Sequence, residues 1–128
     1  FTTSQETYVI ARFPEGQTPE SFLQNNKYTY SYLNNAGNTT TKNVYEIPNS
    51  WIIDAVNNSR EADFKHILTA PSIDAGWTSA SPGYSGKTVR RKVLGTDANG
   101  KNIYKDTNNS AQDFNRDSEA SLKDGIIK

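Results

Sequence analysis

Apolar and polar positions alternate along much of this chain. In "TYVIARF" (Thr7–Phe13), Tyr8, Ile10 and Arg12 alternate with Val9, Ala11 and Phe13, the period of a strand buried on at least one face. "KYTYSYL" repeats the pattern more cleanly, with Tyr28, Tyr30 and Tyr32 on one face and Lys27, Thr29 and Ser31 on the other. "NVYEIPNSWIIDAV" holds two short β runs split by the turn pair Pro48–Asn49. Its second run, Trp51 to Val56, is apolar on both faces except at Asp54, which predicts a central strand. "KTVRRKVLGTDANGKNIYK" places two β runs around Asp97-Ala98-Asn99-Gly100, where an Asn-Gly pair tolerates the positive φ of a tight hairpin.

Helical signals are few and short. Thr18 can cap a helix, Pro19 suits its first position, and Glu20 favours the positive end of the dipole, with a stop at Asn25–Asn26. "SREADFKHIL" predicts two helical turns from Ser59. The remainder is rich in Asn, Ser, Thr and Gly. Together these signals predict a mainly β domain over residues 1–117 with one or two short helices and long polar loops, followed by a polar tail at 118–128.

Composition narrows the function. At 128 residues the chain fits one domain, which should bury roughly two-thirds of its unfolded surface. Fourteen basic and fourteen acidic residues cancel, so charge does not point to nucleic acid. No apolar run approaches the roughly 20 residues of a bilayer span. Cysteine is absent, which excludes disulfides, thiolate zinc sites and thiol nucleophiles. Methionine is absent as well, and the strand pattern begins within a few residues of Phe1. The expectation is a fragment, or the later part of a longer chain.

The candidate chemistry is sparse. "SPGYSGKT" (Ser81–Thr88) ends like a phosphate-binding loop, but Ser81 stands where the first glycine belongs and a strand pattern follows where a helix is needed. His66 is the single histidine and has no second histidine or cysteine to complete a metal set. Asp54 is the one charge in an apolar strand. A buried carboxylate is costly unless paired, so a partner is expected in Arg91, or failing that Arg90. Catalysis would need a second titratable group close to Asp54 or His66. No catalytic residue, cofactor site or metal site is assigned.

Two features leave readings open. Tyr28, Tyr30 and Tyr32 are read first as facing the core. Alternatively, with Trp77 and Tyr84, they contact a ligand or partner, since flat rings bury area at low entropic cost. "DTNNSAQDF" (Asp106–Phe114) carries oxygen ligands that calcium prefers, but not at EF-hand spacing. Asp, Asn and Ser also hydrogen-bond their own backbone. A metal-free turn is therefore expected, with Phe114 anchored in the core.

Three elements in order, "SWIIDAV", "GKTVRRK" and "DTNNSAQDF", resemble the later half of lamin-tail-like domains. Asp54 and Val56 match an Asp-x-Val strand. Gly86, Thr88 and Arg91 match a Gly-x-Ser/Thr-x-x-Arg strand, and Asn109, Ser110, Asp113 and Phe114 match a closing Asn-Ser-x-x-Asp-Phe turn. Residues 7–116 more specifically resemble an uncharacterised family of Bacteroidota surface lipoproteins. The resemblance implies an immunoglobulin-like β-sandwich and a place on the extracellular face of the outer membrane, held by a lipid anchor outside this sequence. It also implies protein partners, a TonB-dependent transporter and companion lipoproteins of SusC/SusD-type nutrient uptake, and no catalytic residues. The first half of the lamin-tail-like pattern is not found here; its strands come from a part outside this sequence, from another chain, or not at all.

Overall fold

The computed structural model describes residues 6–79 and 85–120. The chain is mainly β, with antiparallel sheets and two short helices, in keeping with a β-sandwich-like fold. In order it forms β1 (Glu6–Ala11), α1 (Pro19–Asn25), β2 (Lys27–Leu33), β3 (Thr39–Tyr45), β4 (Ile52–Asn58), β5 (Lys87–Arg91), β6 (Val93–Thr96), β7 (Asn102–Tyr104), α2 (Ser110–Asp113) and β8 (Phe114–Glu119). The strands pair as β1–β4, β2–β3, β5–β8 and β6–β7. Contacts group the chain into two units, Ala11–Ile53 and a second made of residues up to Ile10 with those from Asp54 onward. No helix among the described residues is long and apolar enough to cross a membrane.

Within Ala11–Ile53, α1 starts as its sequence requires. The Thr18 side chain accepts from Ser21 N at 3.1 Å, and the Ser21 hydroxyl accepts from Thr18 N at 2.9 Å. This reciprocal cap satisfies two orphan amides, and Pro19 in the first turn has no N–H that would need an acceptor. Asn26 N closes the helix on Phe22 O, and Asn26 O receives Glu46 N. β2 occupies the predicted alternating run and turns at Asn34–Asn38. There the Asn34 side chain accepts from Ala36 N and Asn38 N, and Gly37 takes the positive φ of 79°.

In the other unit, Asp97 builds the β6–β7 hairpin. Its carboxylate accepts from Asn99 N at 2.8 Å and Lys101 N at 2.9 Å, and Gly100 adopts a φ of 78°. β8 pairs antiparallel with β5, Arg91 opposite Phe114 and Lys87 opposite Glu119. Pairing thus reaches two residues into the segment read as a tail.

Three expectations are corrected. The two helical turns from Ser59 are replaced by one 3₁₀ turn, Glu61–Asp63, followed by extended chain. There Leu68 N is drawn to Asn57 Oδ1 at 3.4 Å instead of an intrahelical carbonyl. β4 is not a central strand. It pairs with β1 in a two-stranded sheet, and Ile53 stays 59% exposed. Phe114 is half-buried instead of anchored in a core, with the Arg91 guanidinium 5.5 Å from its ring centre.

The interior of this unit is polar. Among the described residues the buried apolar side chains are Ala55 and Val93, while Asn57, Ser59, Asp74, Thr78, Ser79, Ser110 and Asp113 are also buried. Buried polar groups of that number call for partners. Asn57 and Ser110 converge on Asp74, and Asp113 is bound by Thr107 and Asn109. Ser59 Oγ donates to Arg60 O, and Thr78 Oγ1 has no partner among the described residues.

Candidate binding surface and its scaffold

The tyrosine face comes from register. In the β2–β3 hairpin Tyr28 lies opposite Val44, Tyr30 opposite Lys42, and Tyr32 opposite Thr40. Directly opposed residues share a face. The reverse face is closed by short hydrogen bonds, Thr29 Oγ1 to Asn43 Oδ1 at 2.7 Å and Ser31 Oγ with Thr41 Oγ1 at 2.8 Å. Tyr28 and Tyr30 stack with centroids 6.1 Å apart, and Tyr30 and Tyr32 at 6.0 Å. All three remain 39–49% exposed.

The core-facing reading of these tyrosines is therefore overturned. The hairpin pairs with no third strand among the described residues, and its three tyrosines stay exposed. Period-two alternation reports which side chains share a face, and burial of that face depends on what covers it. The tyrosine rows stand as a preformed ladder, each rung held by its neighbours.

The remaining aromatic candidates do not join this face. Trp77 is half-buried in the other unit, where Phe64 stacks on it at 4.3 Å and the Arg116 guanidinium lies 4.7 Å from its ring centre. Its ring is occupied by its own chain. Tyr84 lies outside the described residues, as does the first half of the "SPGYSGKT" loop. That loop runs on into β5, not a helix.

Around Arg91 the structure gathers several of the residues singled out in the sequence. Its Nη1 donates to Asp54 Oδ2 at 2.5 Å, its Nε to Lys105 O at 2.9 Å, and Nη2 stands 3.1 Å from Asp106 Oδ1. Burial alone would lower the Arg91 pKa, but Asp54, Asp106 and Asp113 outweigh it and raise it. Asp113 is buried and accepts from Thr107 N and Thr107 Oγ1, both at 2.8 Å, and from Asn109 N at 3.2 Å. Asn109 caps α2 by accepting from Ala111 N at 3.1 Å, and Asn108 takes a φ of 52°. "DTNNSAQDF" is thus a turn in which Asp106, Asn109 and Asp113 accept from its own backbone amides, while Asp106 also faces Arg91 and Ser110 Oγ donates to Asp74.

The sequence reading missed the hub of this scaffold. Asp74 is 1% exposed and carries no ion-pair partner among the described residues. Five donors converge on its carboxylate. Asn57 N, Asn57 Nδ2 and Ser110 Oγ reach Oδ2 at 2.9, 3.0 and 2.5 Å. Ser110 N and Gly76 N reach Oδ1 at 2.8 and 3.0 Å. Burial pushes the carboxyl up, yet the bonds from Ser110, Asn57 and Gly76 together hold it below the usual range. Asn57 is itself fully buried and also holds Thr7 Oγ1 at 2.8 Å, Thr69 Oγ1 at 2.8 Å and Gly76 O at 3.2 Å. Short polar side chains carry no periodic signature. The one available clue was Asp74 and Gly76 in a turn-like stretch, which alone points to nothing farther along the chain.

Asp74 and Asp113 accept from donors that fix loops, and no group of three or more metal-ligating side chains occurs among the described residues. The single histidine, His66, lies exposed on extended chain.

Comparisons with known proteins agree with this reading of the fold. A search of curated proteins finds no match. A solved structure, the "Crystal structure of a DUF4876 family protein from Bacteroides thetaiotaomicron VPI-5482", is similar, with a TM-score of 0.64 and 25% sequence identity. The match covers 98% of this chain and 34% of that one, so the chain spans about a third of the relative's length. Residues 1–121 match the family model described as "Protein of unknown function (DUF4876)", and the chain belongs to the DUF4876 family.

Proposed function

We propose that the chain is a non-enzymatic accessory module that docks a protein partner through the Tyr28–Tyr30–Tyr32 ladder. In this reading it forms part of a lamin-tail-like surface lipoprotein working beside a TonB-dependent, SusC/SusD-type uptake complex. The observation that carries it is a row of three stacked tyrosines left 39–49% exposed on a hairpin. Tyrosine is enriched at protein interfaces because it buries much area while ordering few torsions. Stacking has already ordered these rings, which lowers the entropic cost of binding. The membership in a family with a Bacteroides relative supports the bacterial setting, and the resemblance of the three sequence elements supplies the surface-lipoprotein part.

A second reading, a glycan- or peptide-binding module, uses the same exposed rings. Sugar recognition favours free ring faces, whereas rings stacked on one another cover part of theirs. The protein-partner reading therefore leads.

The test is recovery of native complexes from cells producing the whole protein with Tyr28, Tyr30 and Tyr32 all changed to serine. The expected result is about a tenfold loss of co-purified transporter or lipoprotein, with circular dichroism unchanged. Recovery as a free monomer before any substitution, or partner yield indifferent to the triple change, would overturn the proposal. Tyrosine-dependent binding of a purified oligosaccharide, with no protein recovered, would favour the second reading.

A further inference from the structure

Within Ala11–Ile53 a second feature is independent of the tyrosine ladder. Phe13, Phe22 and Trp51 form a triangle of rings with centroids 5.9–6.0 Å apart, and Tyr45 joins Phe22 at 5.8 Å. A recess adjoins the triangle. Ala11, Arg12, Phe13, Phe22, Ile47 and Trp51 line an open pocket of about 90 Å³. A backbone hydrogen bond from Arg12 N to Trp51 O, 2.9 Å long, ties two of its walls together. Phe13 and Ile47 stay 43% and 40% exposed around it.

Size and charge choose the occupant. A cavity that holds a benzene ring measures roughly 150 Å³, so this pocket is too small to seat an aromatic ring fully. It suits one branched aliphatic side chain. Arg12 is the single charged residue of the lining, and no carboxylate lies within ion-pair distance of it among the described residues. An exposed arginine among the residues lining an apolar recess favours a carboxylate next to the apolar group it receives.

We propose that this pocket is a recognition site for an acid-flanked aliphatic side chain, a leucine or isoleucine next to aspartate or glutamate in a partner polypeptide. The aliphatic group enters the recess lined by Ala11, Phe13, Phe22, Ile47 and Trp51, and the neighbouring carboxylate pairs with Arg12. One buried side chain and one partly exposed ion pair make a weak contact by themselves. The site therefore works as a specificity element within a larger interface.

The experiment titrates the whole chain carrying Trp77→Phe, so that emission reports Trp51 alone. The probes are three capped peptides, Glu-Leu-Asp, Glu-Ala-Asp and Lys-Leu-Lys, together with benzoate. The expected result is a saturable shift with Glu-Leu-Asp and at least about tenfold weaker binding of the alanine and lysine peptides. Arg12→Glu should reverse the charge preference towards Lys-Leu-Lys, and Ala11→Leu should abolish both responses by filling the recess. Absence of a saturable response to any peptide overturns the proposal. So does binding of benzoate alone, a charge preference unchanged in Arg12→Glu, or a self-association removed by Ala11→Leu that accounts for the signal. Because the tyrosine ladder is intact in every variant, failure here leaves the docking role of Tyr28, Tyr30 and Tyr32 to its own test.

Discussion

Ser110 grips the Asp74 carboxylate with both its donors, backbone N to Oδ1 at 2.8 Å and Oγ to Oδ2 at 2.5 Å, across 36 positions of sequence. That pair joins the start of α2 to the loop between Ile73 and Trp77, while Asn57 joins the same carboxylate to β4. With two apolar side chains fully buried among the described residues, this network does much of what a hydrophobic core does elsewhere. Asp74→Ala strips acceptors from buried amides of Asn57, Gly76 and Ser110, each costly to leave unmade. The expected loss is about 3–5 kcal/mol of unfolding free energy, against about 1–2 kcal/mol for Ser110→Ala, which keeps the backbone bond. Urea unfolding followed by tryptophan emission measures both. Equal, small losses would show that the network is dispensable.

Acid should loosen the same network. Asp74 and Asp113 both have folded pKa values below the ordinary carboxylate value. For Asp113, burial pushes upward and the bonds from Thr107 and Asn109, with Arg91 nearby, prevail. A depressed folded pKa gives stability that is present above the unfolded value of roughly 4 and lost as pH falls through the folded one. The urea midpoint should therefore stay level between about pH 7 and 5 and fall below that. In Asp74→Asn or Asp113→Asn the acid limb should be shallower, because one linked proton is removed. Parallel limbs in wild type and both variants would sink this account.

What the sequence showed and what it hid divide along physical lines. β2 was legible to the residue, since Lys27–Leu33 alternates strictly, and so were the Thr18–Pro19 helix start and the Asp97–Gly100 hairpin. Each is set by chemistry within a few positions. β8, "FNRDSE", was hidden because its pairing with β5 is carried by backbone bonds beneath a polar pattern. The stretch from Ser59 failed as a helix because Asn57 claims Leu68 N, a contact that helix propensity does not register. Asp54–Arg91 was foreseeable from the cost of an unpaired carboxylate. Asp74–Ser110 was not, as nothing local links the two positions.

The Asp54–Arg91 pair is partly open, with side chains 18% and 23% exposed. Arg91 also keeps Lys105 O and Asp106 if Asp54 is removed. Asp54→Ala should therefore cost about 1.5–3 kcal/mol, less than the roughly 3–5 kcal/mol of breaking a fully buried pair. A double-mutant cycle with Arg91→Met isolates the coupling, expected at about 1–2 kcal/mol. Strict additivity of the two single changes would mean that the short contact carries no net stability.

Chelator should leave the melting temperature unchanged. The Asp113 oxygens are engaged by Thr107 and Asn109, and Asn109 Oδ1 by Ala111 N. The "DTNNSAQDF" turn thus closes on hydrogen bonds without needing a cation. Differential scanning calorimetry with excess chelator, then with added calcium, makes the comparison. A drop reversed by calcium would refute the metal-free turn.

Gly76 is held to glycine by closeness, not by a left-handed backbone. A Cβ added there would lie 2.0 Å from Asn109 Oδ1, 2.9 Å from Asn109 Cγ and 2.8 Å from Ala111 N. The first two atoms belong to the side chain that caps α2, and the third to the helix backbone. Gly76→Ala must push the cap away from Ala111 N or move the loop that carries Gly76 N to Asp74. The first movement breaks an exposed cap bond and the second a buried one, so a loss of about 1–3 kcal/mol is expected. Adding Asn109→Gly removes the two side-chain clashes but leaves the 2.8 Å approach to Ala111 N, so the double variant should recover stability only in part. Full recovery would place all of the strain in the Asn109 side chain. A harmless Gly76→Ala, with an unchanged urea midpoint, would show that the loop and α2 pack less closely than the geometry requires.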